Sequence, residues 1–161
     1  RSFVRDALRL HGVRRSVADV RALEVLRQVG LADAAGRRLA GYSKGMRQRV
    51  GLARALAVNA EVLLMDEPFS AVDEQTRRKF QEDLLKVVAD AEKTFIFVTH
   101  SIEEAVYVSH SIALLLPRPS RVSEIIRPDI RRDISPDAIR RDPVYLDIVE
   151  RIWQGLRTYV E

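Results

Sequence analysis

Apolar side chains recur at helical spacing along the first 58 residues of the chain. They form three stripes at intervals of three or four residues: Val4, Ala7 and Leu8; Val20, Leu23, Leu26 and Val29; and Met46, Val50, Ala53 and Ala57. Gly12 and Gly30 follow the first two stripes, and glycine commonly ends helices because it adopts left-handed backbone conformations. The pattern predicts a small helical region over residues 1–40 and a further helix over 43–58.

The apolar pattern changes beyond residue 60. Residues 62–65 and 94–99 are short apolar runs, the second rich in β-branched and aromatic side chains, as is typical of strands buried on both faces. Residues 74–91 between them have helical spacing, carried by Phe80, Leu84, Val87, Val88 and Ala91. A helix of this length returns the chain parallel to its start. The pattern therefore predicts a βαβ unit.

Shorter elements follow the βαβ unit. The sequence predicts a short helix over 102–109, a strand over 112–116, and a turn at 117–120 that leads into a hairpin arm over 122–126. The chain thus has the order of elements of an α/β fold with parallel strands.

The last part of the chain changes composition. Residues 127–142 are rich in Arg, Asp and Pro and are interpreted as a linker, and Asp142 and Pro143 predict the start of a final amphipathic helix. Its apolar positions are Leu146, Val149, Ile152, Trp153 and Leu156.

Three regions follow from these elements. They are a helical subdomain over 1–58, part of an α/β core over 59–126, and a linker with a C-terminal helix over 127–161.

Composition narrows the function classes. The chain has 161 residues, 47% of them hydrophobic, which suits one globular domain. Its 27 basic residues are interleaved with 23 acidic ones for a net charge of +4, which favours a mixed surface, so we expect no nucleic-acid partner. There is no cysteine, so disulfides and Cys-based zinc sites are excluded. No signal peptide or membrane-spanning run is evident, so we expect a cytoplasmic location.

Two adjacent carboxylates, Asp66 and Glu67, follow the first predicted strand. Ligands of open α/β folds bind at the carboxyl ends of parallel strands. One carboxylate there can hold Mg²⁺, usually through water, while the other orients and polarises a water that attacks a γ-phosphate. The alternative is an acidic turn in which Asp66 caps a nearby element.

His100 follows the second predicted strand, at the same edge of the sheet. An imidazole there can hydrogen-bond a phosphate oxygen or the attacking water. The alternative is a histidine with satisfied hydrogen bonds in a strand-to-helix turn. Ser101 and Glu104 form a capping box for the next helix, which needs no functional explanation.

Another candidate anion site lies where the helix over 43–58 begins. Ser43 is a natural N-cap, and the amides of Lys44, Gly45 and Met46 lie at the positive end of the helix dipole. A lysine there is slightly unfavourable unless an anion is bound, and the alternative is an exposed lysine beside an ordinary cap. Asp73, before the helix over 74–91, is by itself best explained as an N-cap.

Taken in order, these segments resemble the ATP-binding cassette (ABC) ATPases. Residues 42–46 resemble the signature motif, 62–66 the Walker B strand, Glu67 the catalytic glutamate, 70–73 the D-loop and His100 the switch histidine. The resemblance covers essentially the whole chain. It implies an α/β fold, a partial P-loop NTPase (ABC cassette) fold with a helical subdomain, whose N-terminal part is missing.

Within that family, residues 66–70, 97–100 and 116–121 look like the ATPase subunits of importers for nitrate, sulfonates, taurine and related small solutes. The tail over 143–153 is similar to their C-terminal helix. This chain departs from the usual family pattern at three positions: Tyr42 stands where the family usually has Leu, Lys44 where it usually has Gly, and Ser101 where it often has Asp.

The larger departure from the family pattern is the absence of a phosphate-binding loop. No Gly-x-x-x-x-Gly-Lys-[Ser/Thr] stretch occurs among the 161 residues, and family order places it, the adenine-stacking aromatic and the Q-loop glutamine before Arg1. We therefore expect sequence upstream of Arg1, strand surface exposed by its loss, and no independent ATPase activity of the chain alone.

The resemblance also implies ATP and Mg²⁺ as ligands and a head-to-tail dimer with a second ABC ATPase subunit. Three residues would act in cis: Asp66 would hold Mg²⁺, and Glu67 and His100 would be catalytic. Four would contact ATP in trans on the opposing subunit: Ser43, Lys44, Gly45 and Met46. Asp73 would lie at the dimer interface.

The other partners implied are transmembrane permease subunits and, indirectly, a solute-binding protein. The chain would lie peripherally on the inner face of the cell membrane. Two alternatives stay open: a truncated, non-catalytic cassette that regulates an intact ABC subunit, and a non-transport ABC ATPase.

Overall fold

The computed structural model describes residues 1–70, 72–90, 93–116 and 119–157. The chain divides into two compact units, Arg1–Val98 and Thr99–Glu161. None of the helices in the described ranges is both long and apolar enough to cross a membrane. The three regions inferred from the sequence stay a prediction.

Three helices form the first part of the first unit: α1 (Ser2–Leu10), α2 (Arg15–Gln28) and α3 (Lys44–Ala57), which contact one another. Two short 3₁₀ turns, Ala32–Ala34 and Leu39–Gly41, join α2 to α3. The predicted helices are confirmed, and Gly12 and Gly30 follow α1 and α2 with φ of 79° and 69°.

The predicted apolar stripe of α2 is wrong at one position. Val20 is 61% exposed, whereas Ala18, Ala22 and Val25 are buried. Alanine lets neighbouring helices approach closely, so the face of α2 that packs is set by small residues rather than by the largest apolar ones.

The second part of the first unit is the predicted βαβ unit. Strands β1 (Val62–Asp66) and β2 (Thr94–Val98) pair in parallel, and helix α4 (Glu74–Asp90) connects them. The register joins Val62 to Thr94 at one end and Asp66 to Val98 at the other. Ala91, assigned to the helix by the sequence pattern, lies outside the described residues.

Burial of both strand faces was predicted and is wrong. Leu63 is buried, but Leu64 is 69% exposed, and exposed apolar side chains line the same face: Val62, Leu64, Ile96 and Val98. Successive side chains of a strand point to opposite faces, so an apolar run does not reveal whether a second layer covers both of them. The exposed strand surface expected from the sequence is present.

The second unit contains α5 (Ile102–Val108), β3 (Ile112–Leu116) and β4 (Arg121–Ile126), followed by two further helices. Strands β3 and β4 form the predicted antiparallel hairpin, with a register irregularity between Leu114 and Leu115. Pro117 and Arg118 of the predicted turn lie outside the described residues.

The segment interpreted as a linker contains helix α6 (Pro136–Arg141). Ser135 caps it, since its Oγ accepts the Ala138 amide at 3.3 Å, and Pro136 occupies the first turn. A Ser-Pro pair signals the start of a helix. However, α6 is short and charged and buries one side chain, Ile139, so its sequence shows no apolar stripe. This helix was therefore missed.

The last helix, α7 (Pro143–Arg157), starts where predicted, but its packed face differs. Tyr145 and Ile152 are buried, while Leu146 and Trp153 are exposed. The Tyr145 hydroxyl donates to the Glu103 carbonyl of α5 at 3.1 Å, so a tertiary hydrogen bond helps select the face.

Candidate functional site

The two adjacent carboxylates lie where the sequence placed them, at the carboxyl end of β1. Asp66 is the last residue of the strand and is exposed. The Glu67 amide donates to the Val98 carbonyl at 2.8 Å, which extends the contact between β1 and β2 by one residue. Both carboxylates therefore lie at the edge of the parallel pair where α/β folds bind ligands.

Glu67 adopts a left-handed backbone conformation, with φ of 47°. A residue other than glycine held there costs about 1–3 kcal/mol, and such residues cluster at functional sites. No residue type in the sequence signals this, because Gly and Asn are the usual left-handed residues. The strained turn supports the interpretation of Glu67 as a functional residue.

Local contacts anchor the segment that follows Glu67. The Ser70 amide and hydroxyl both donate to the Glu67 carbonyl, at 3.2 and 2.9 Å. Phe69 is 1% exposed and lies edge-on to Phe80, with ring centroids 5.4 Å apart. Arg77 donates to the carbonyls of Phe69 and Val72, each at 3.3 Å. The turn is thus held by the core on one side and by Arg77 on the other.

Asp73 is an N-cap of α4. Its Oδ1 accepts the Thr76 amide at 3.0 Å, and this hydrogen bond lowers the pKa of the exposed Asp73 carboxyl. The interpretation of Asp73 as a cap is confirmed, and its role at a dimer interface stays a prediction.

The lowered pKa of Asp73 predicts a pH-dependent contribution to stability. A carboxyl whose folded pKa lies below its unfolded value of about 3.9 stabilises the fold above that value and loses this effect as the pH falls through the folded pKa. We expect Asp73→Asn to be less stable than the parent chain at pH 6, with the difference shrinking as the pH falls below the unfolded value. Urea unfolding over a series of pH values measures this. A difference that is independent of pH would contradict it.

At the candidate anion site at the start of α3, one of the three backbone amides is already hydrogen-bonded within the helix start. Ser43 Oγ accepts the Met46 amide at 3.2 Å, so the predicted cap is confirmed and the Met46 amide is committed to it. The amides of Lys44 and Gly45 donate to no other described residue. The helix start therefore still offers two donors to an anion.

Tyr42 has a structural role that the sequence did not reveal. It is buried, and its hydroxyl donates to the Ala34 carbonyl at 2.6 Å. The aromatic departure from the usual leucine thus fills the core of the helical part with its polar atom satisfied.

Gly45 brings the start of α3 against the start of α4. A Cβ at this position would lie 3.0 Å from Thr76 Cγ2 and 3.4 Å from Val72 Cγ1. Both neighbours flank Asp73, so two segments that the sequence presented as separate motifs are in direct contact. Arg49 of α3 adds a second link, an ion pair of 3.0 Å with Asp83 of α4.

Two glycines of α3 provide a matched test of this contact. We expect Gly45→Ala to lower the free energy of unfolding by about 1–3 kcal/mol, because the new methyl group overpacks against Val72 and Thr76. Gly51→Ala should raise it by about 0.5–1 kcal/mol, since a Cβ at Gly51 meets no described neighbour within 4 Å. Denaturant titration of both variants measures the two signs. Equal effects would show that Gly45 is not a close-approach site.

His100 belongs to the second unit, whereas all the other candidate site residues belong to the first. It lies in a bend between β2 and α5. Ser101 Oγ accepts the Glu104 amide at 3.3 Å, which confirms Ser101 as the cap of α5.

Magnesium is the metal that these residues fit. The exposed Asp66 carboxylate is an oxygen ligand of the kind that Mg²⁺ prefers, and Mg²⁺ typically takes one or two carboxylates together with substrate phosphates and water. Across the described ranges, no group of three or more His, Cys, Asp or Glu residues is placed to hold a metal ion. Asp66 therefore fits Mg²⁺ that arrives with a phosphate ligand.

A parallel βαβ unit with carboxylates at its carboxyl edge, together with a helical region, fits a partial P-loop NTPase fold. Comparison with known proteins agrees. The family described as ABC transporter matches residues 3–70. A solved structure described as a metal-chelate type ABC transporter in an inward-facing conformation aligns with a TM-score of 0.65 and 26% identity, over 75% of this chain and 50% of that one.

Curated relatives narrow the comparison further. The taurine import ATP-binding proteins TauB of Rhizobium johnstonii and of Pseudomonas savastanoi pv. phaseolicola are 42% and 44% identical over 90% of this chain. The chain spans 57% of the length of each of these relatives. The chain therefore belongs to the ABC transporter ATPase family, as the sequence resemblance indicated.

Proposed function

We propose that this chain is part of the ATP-hydrolysing subunit of an ABC importer that takes up a small solute such as nitrate, a sulfonate or taurine. The observation that carries the proposal is the end of β1, where Asp66 closes a parallel strand and the left-handed Glu67 follows it. Relatives that are 42–44% identical and are named for taurine import support the choice of solute class.

The cis roles divide between the two carboxylates and the histidine. Asp66 would hold Mg²⁺ through water, as the resemblance implies, and the ion would supply charge neutralisation at the ATP phosphates. Glu67 orients and polarises the attacking water, and His100 hydrogen-bonds the γ-phosphate or that water. The anchored turn from Glu67 to Ser70 would keep the Glu67 carboxylate in position without reorganisation.

The trans roles belong to the start of α3. The Lys44 and Gly45 amides and the Lys44 ammonium group would bind an anion. Ser43 accepts the Met46 amide and closes the turn. In a head-to-tail dimer this end would contact the ATP held by a second ATPase subunit, with Asp73 at the interface. Contact between Gly45 and the residues flanking Asp73 would make these two surfaces move together.

The remaining partners follow from the importer class. Transmembrane permease subunits would hold the chain at the inner face of the membrane, and a solute-binding protein would act through them. Because the 161 residues contain no phosphate-binding loop, turnover requires a loop supplied from outside these residues.

Uptake by whole cells tests the proposal. In the organism that encodes the chain, the gene would be deleted and restored with the parent sequence or with Asp66→Asn, and the uptake of labelled taurine, ethanesulfonate and nitrate measured. We expect deletion to abolish uptake of one of these solutes, the parent sequence to restore it and Asp66→Asn to fail. Unchanged uptake of all three after deletion, or full restoration by Asp66→Asn, would refute the proposal.

A further inference from the structure

The residues on either side of His100 are tied to a buried carboxylate on α5. The Ser101 amide donates to Thr99 Oγ1 at 3.1 Å, and the Thr99 hydroxyl donates to Glu104 Oε2 at 2.9 Å. Thr99 thus uses its hydroxyl both as acceptor and as donor, which fixes the direction of the chain of hydrogen bonds. His100 lies in the middle of this short loop of bonded residues.

The burial of Glu104 is unusual for a helix cap. Glu104 is 7% exposed, and glutamate is rarely buried unless its carboxylate is hydrogen-bonded. A capping box needs only an exposed glutamate that reaches back to the helix start. The Thr99 hydroxyl is one hydrogen-bond partner of this carboxylate, so Glu104 is tied to the turn that contains His100.

The helix that carries Glu104 is itself held firmly. Val106 and Tyr107 are almost fully buried, and Arg132 donates to the carbonyls of Tyr107 and Ser109 at 2.5 and 2.7 Å. These contacts occupy carbonyls at the end of α5, which a helix leaves without intrahelical partners. Glu104 is consequently presented by a rigid element, as a group that positions its neighbours must be.

We propose that Glu104 is a positioning residue for His100: through Thr99 Oγ1 it holds the turn from Thr99 to Ser101, and so directs the imidazole. This deepens the proposed function and rests on it, because the direction of the imidazole matters only if His100 contacts the γ-phosphate or its water. Glu104 itself would touch neither.

Nuclear magnetic resonance of the full 161-residue chain tests the positioning. The chain has three histidines, so the His100 ring signals are assigned by comparison with His100→Gln, and those of His11 and His110 serve as internal references. The removing variants are Thr99→Val, which keeps the side-chain shape, and Glu104→Ala. The conservative variants Thr99→Ser and Glu104→Gln retain a hydroxyl donor and an oxygen acceptor.

We expect Thr99→Val and Glu104→Ala to speed hydrogen exchange of the Ser101 amide roughly fivefold to tenfold and to shift the His100 ring signals. Thr99→Ser and Glu104→Gln should restore the parent values, and Asp147→Asn, at an exposed carboxylate of α7 in the same unit, should leave them unchanged. If Glu104→Ala does not fold, Thr99→Val decides the outcome. Parent-like His100 signals in a folded Thr99→Val chain would overturn the proposal.

This readout involves no nucleotide, so it is separate from the uptake experiment. A shifted His100 signal supports the positioning even where uptake is unaffected by deletion of the gene. Unshifted signals overturn the positioning while the uptake result still stands for the proposed function.

Discussion

On the proposed function, replacing Glu67 by glutamine is expected to lower ATP turnover by the assembled importer about 100-fold to 10,000-fold while ATP still binds. Glutamine keeps the length and shape of the side chain and the hydrogen bond from the residue 67 amide to Val98, but it cannot polarise water as a carboxylate does. The loss should therefore appear in kcat rather than in KM. Steady-state phosphate release by the transporter purified from its host membrane measures both.

Glu61→Gln is the matched control for this experiment. Glu61 is exposed and precedes β1, and its backbone carbonyl accepts the Thr94 amide, which the substitution leaves unchanged. We expect its turnover to equal that of the parent. Turnover of Glu67→Gln within twofold of this control would show that Glu67 is not the catalytic carboxylate, and the left-handed turn would then need another explanation.

Replacing Phe69 by alanine is expected to lower the free energy of unfolding by about 3–5 kcal/mol. The ring is 1% exposed and lies edge-on to Phe80, so its removal leaves a cavity in the core as well as losing an aromatic contact. The Phe69 carbonyl also accepts a hydrogen bond from Arg77, so the collapse of the site loosens the turn that carries Glu67. Urea unfolding followed by circular dichroism measures the change.

Phe3→Ala supplies the comparison for the same residue type. Phe3 is 40% exposed and has Arg54 over its ring at 5.5 Å, so its loss should cost about 1 kcal/mol or less. Equal costs at the two positions would mean that Phe69 does not anchor the turn between β1 and α4. A large cost at Phe69 alone places the stability of the candidate site in the core beneath it.

Local signals were sufficient for much of the fold. Ser43 and the helical spacing that follows it predict α3 nearly to the residue, because a cap and an apolar stripe are both local properties. The βαβ unit was predictable for a similar reason. Two apolar strands joined by a helix of sufficient length favour parallel pairing through a right-handed crossover.

The face that each element buries was predicted less well. Val20 of α2 and Leu146 and Trp153 of α7 were assigned to packed stripes and are exposed. A stripe states which side chains are apolar, but the partner helix decides which of them it covers. In α7 that decision involves the Tyr145 hydroxyl and its partner on α5, a contact between residues far apart in sequence.

The sequence by itself determined the order of elements, the caps at Ser43, Asp73 and Ser101, and the positions of the candidate carboxylates at the end of β1, because each depends on neighbouring residues. It also carried the resemblance to the ABC ATPases.

Only the tertiary structure decided the left-handed conformation of Glu67, the contact of Gly45 with the start of α4 and the tie between Thr99 and the buried Glu104. These features depend on the distance between separate elements and on hydrogen bonds closed across a turn. Packing sets both, and residue type and spacing do not encode them locally.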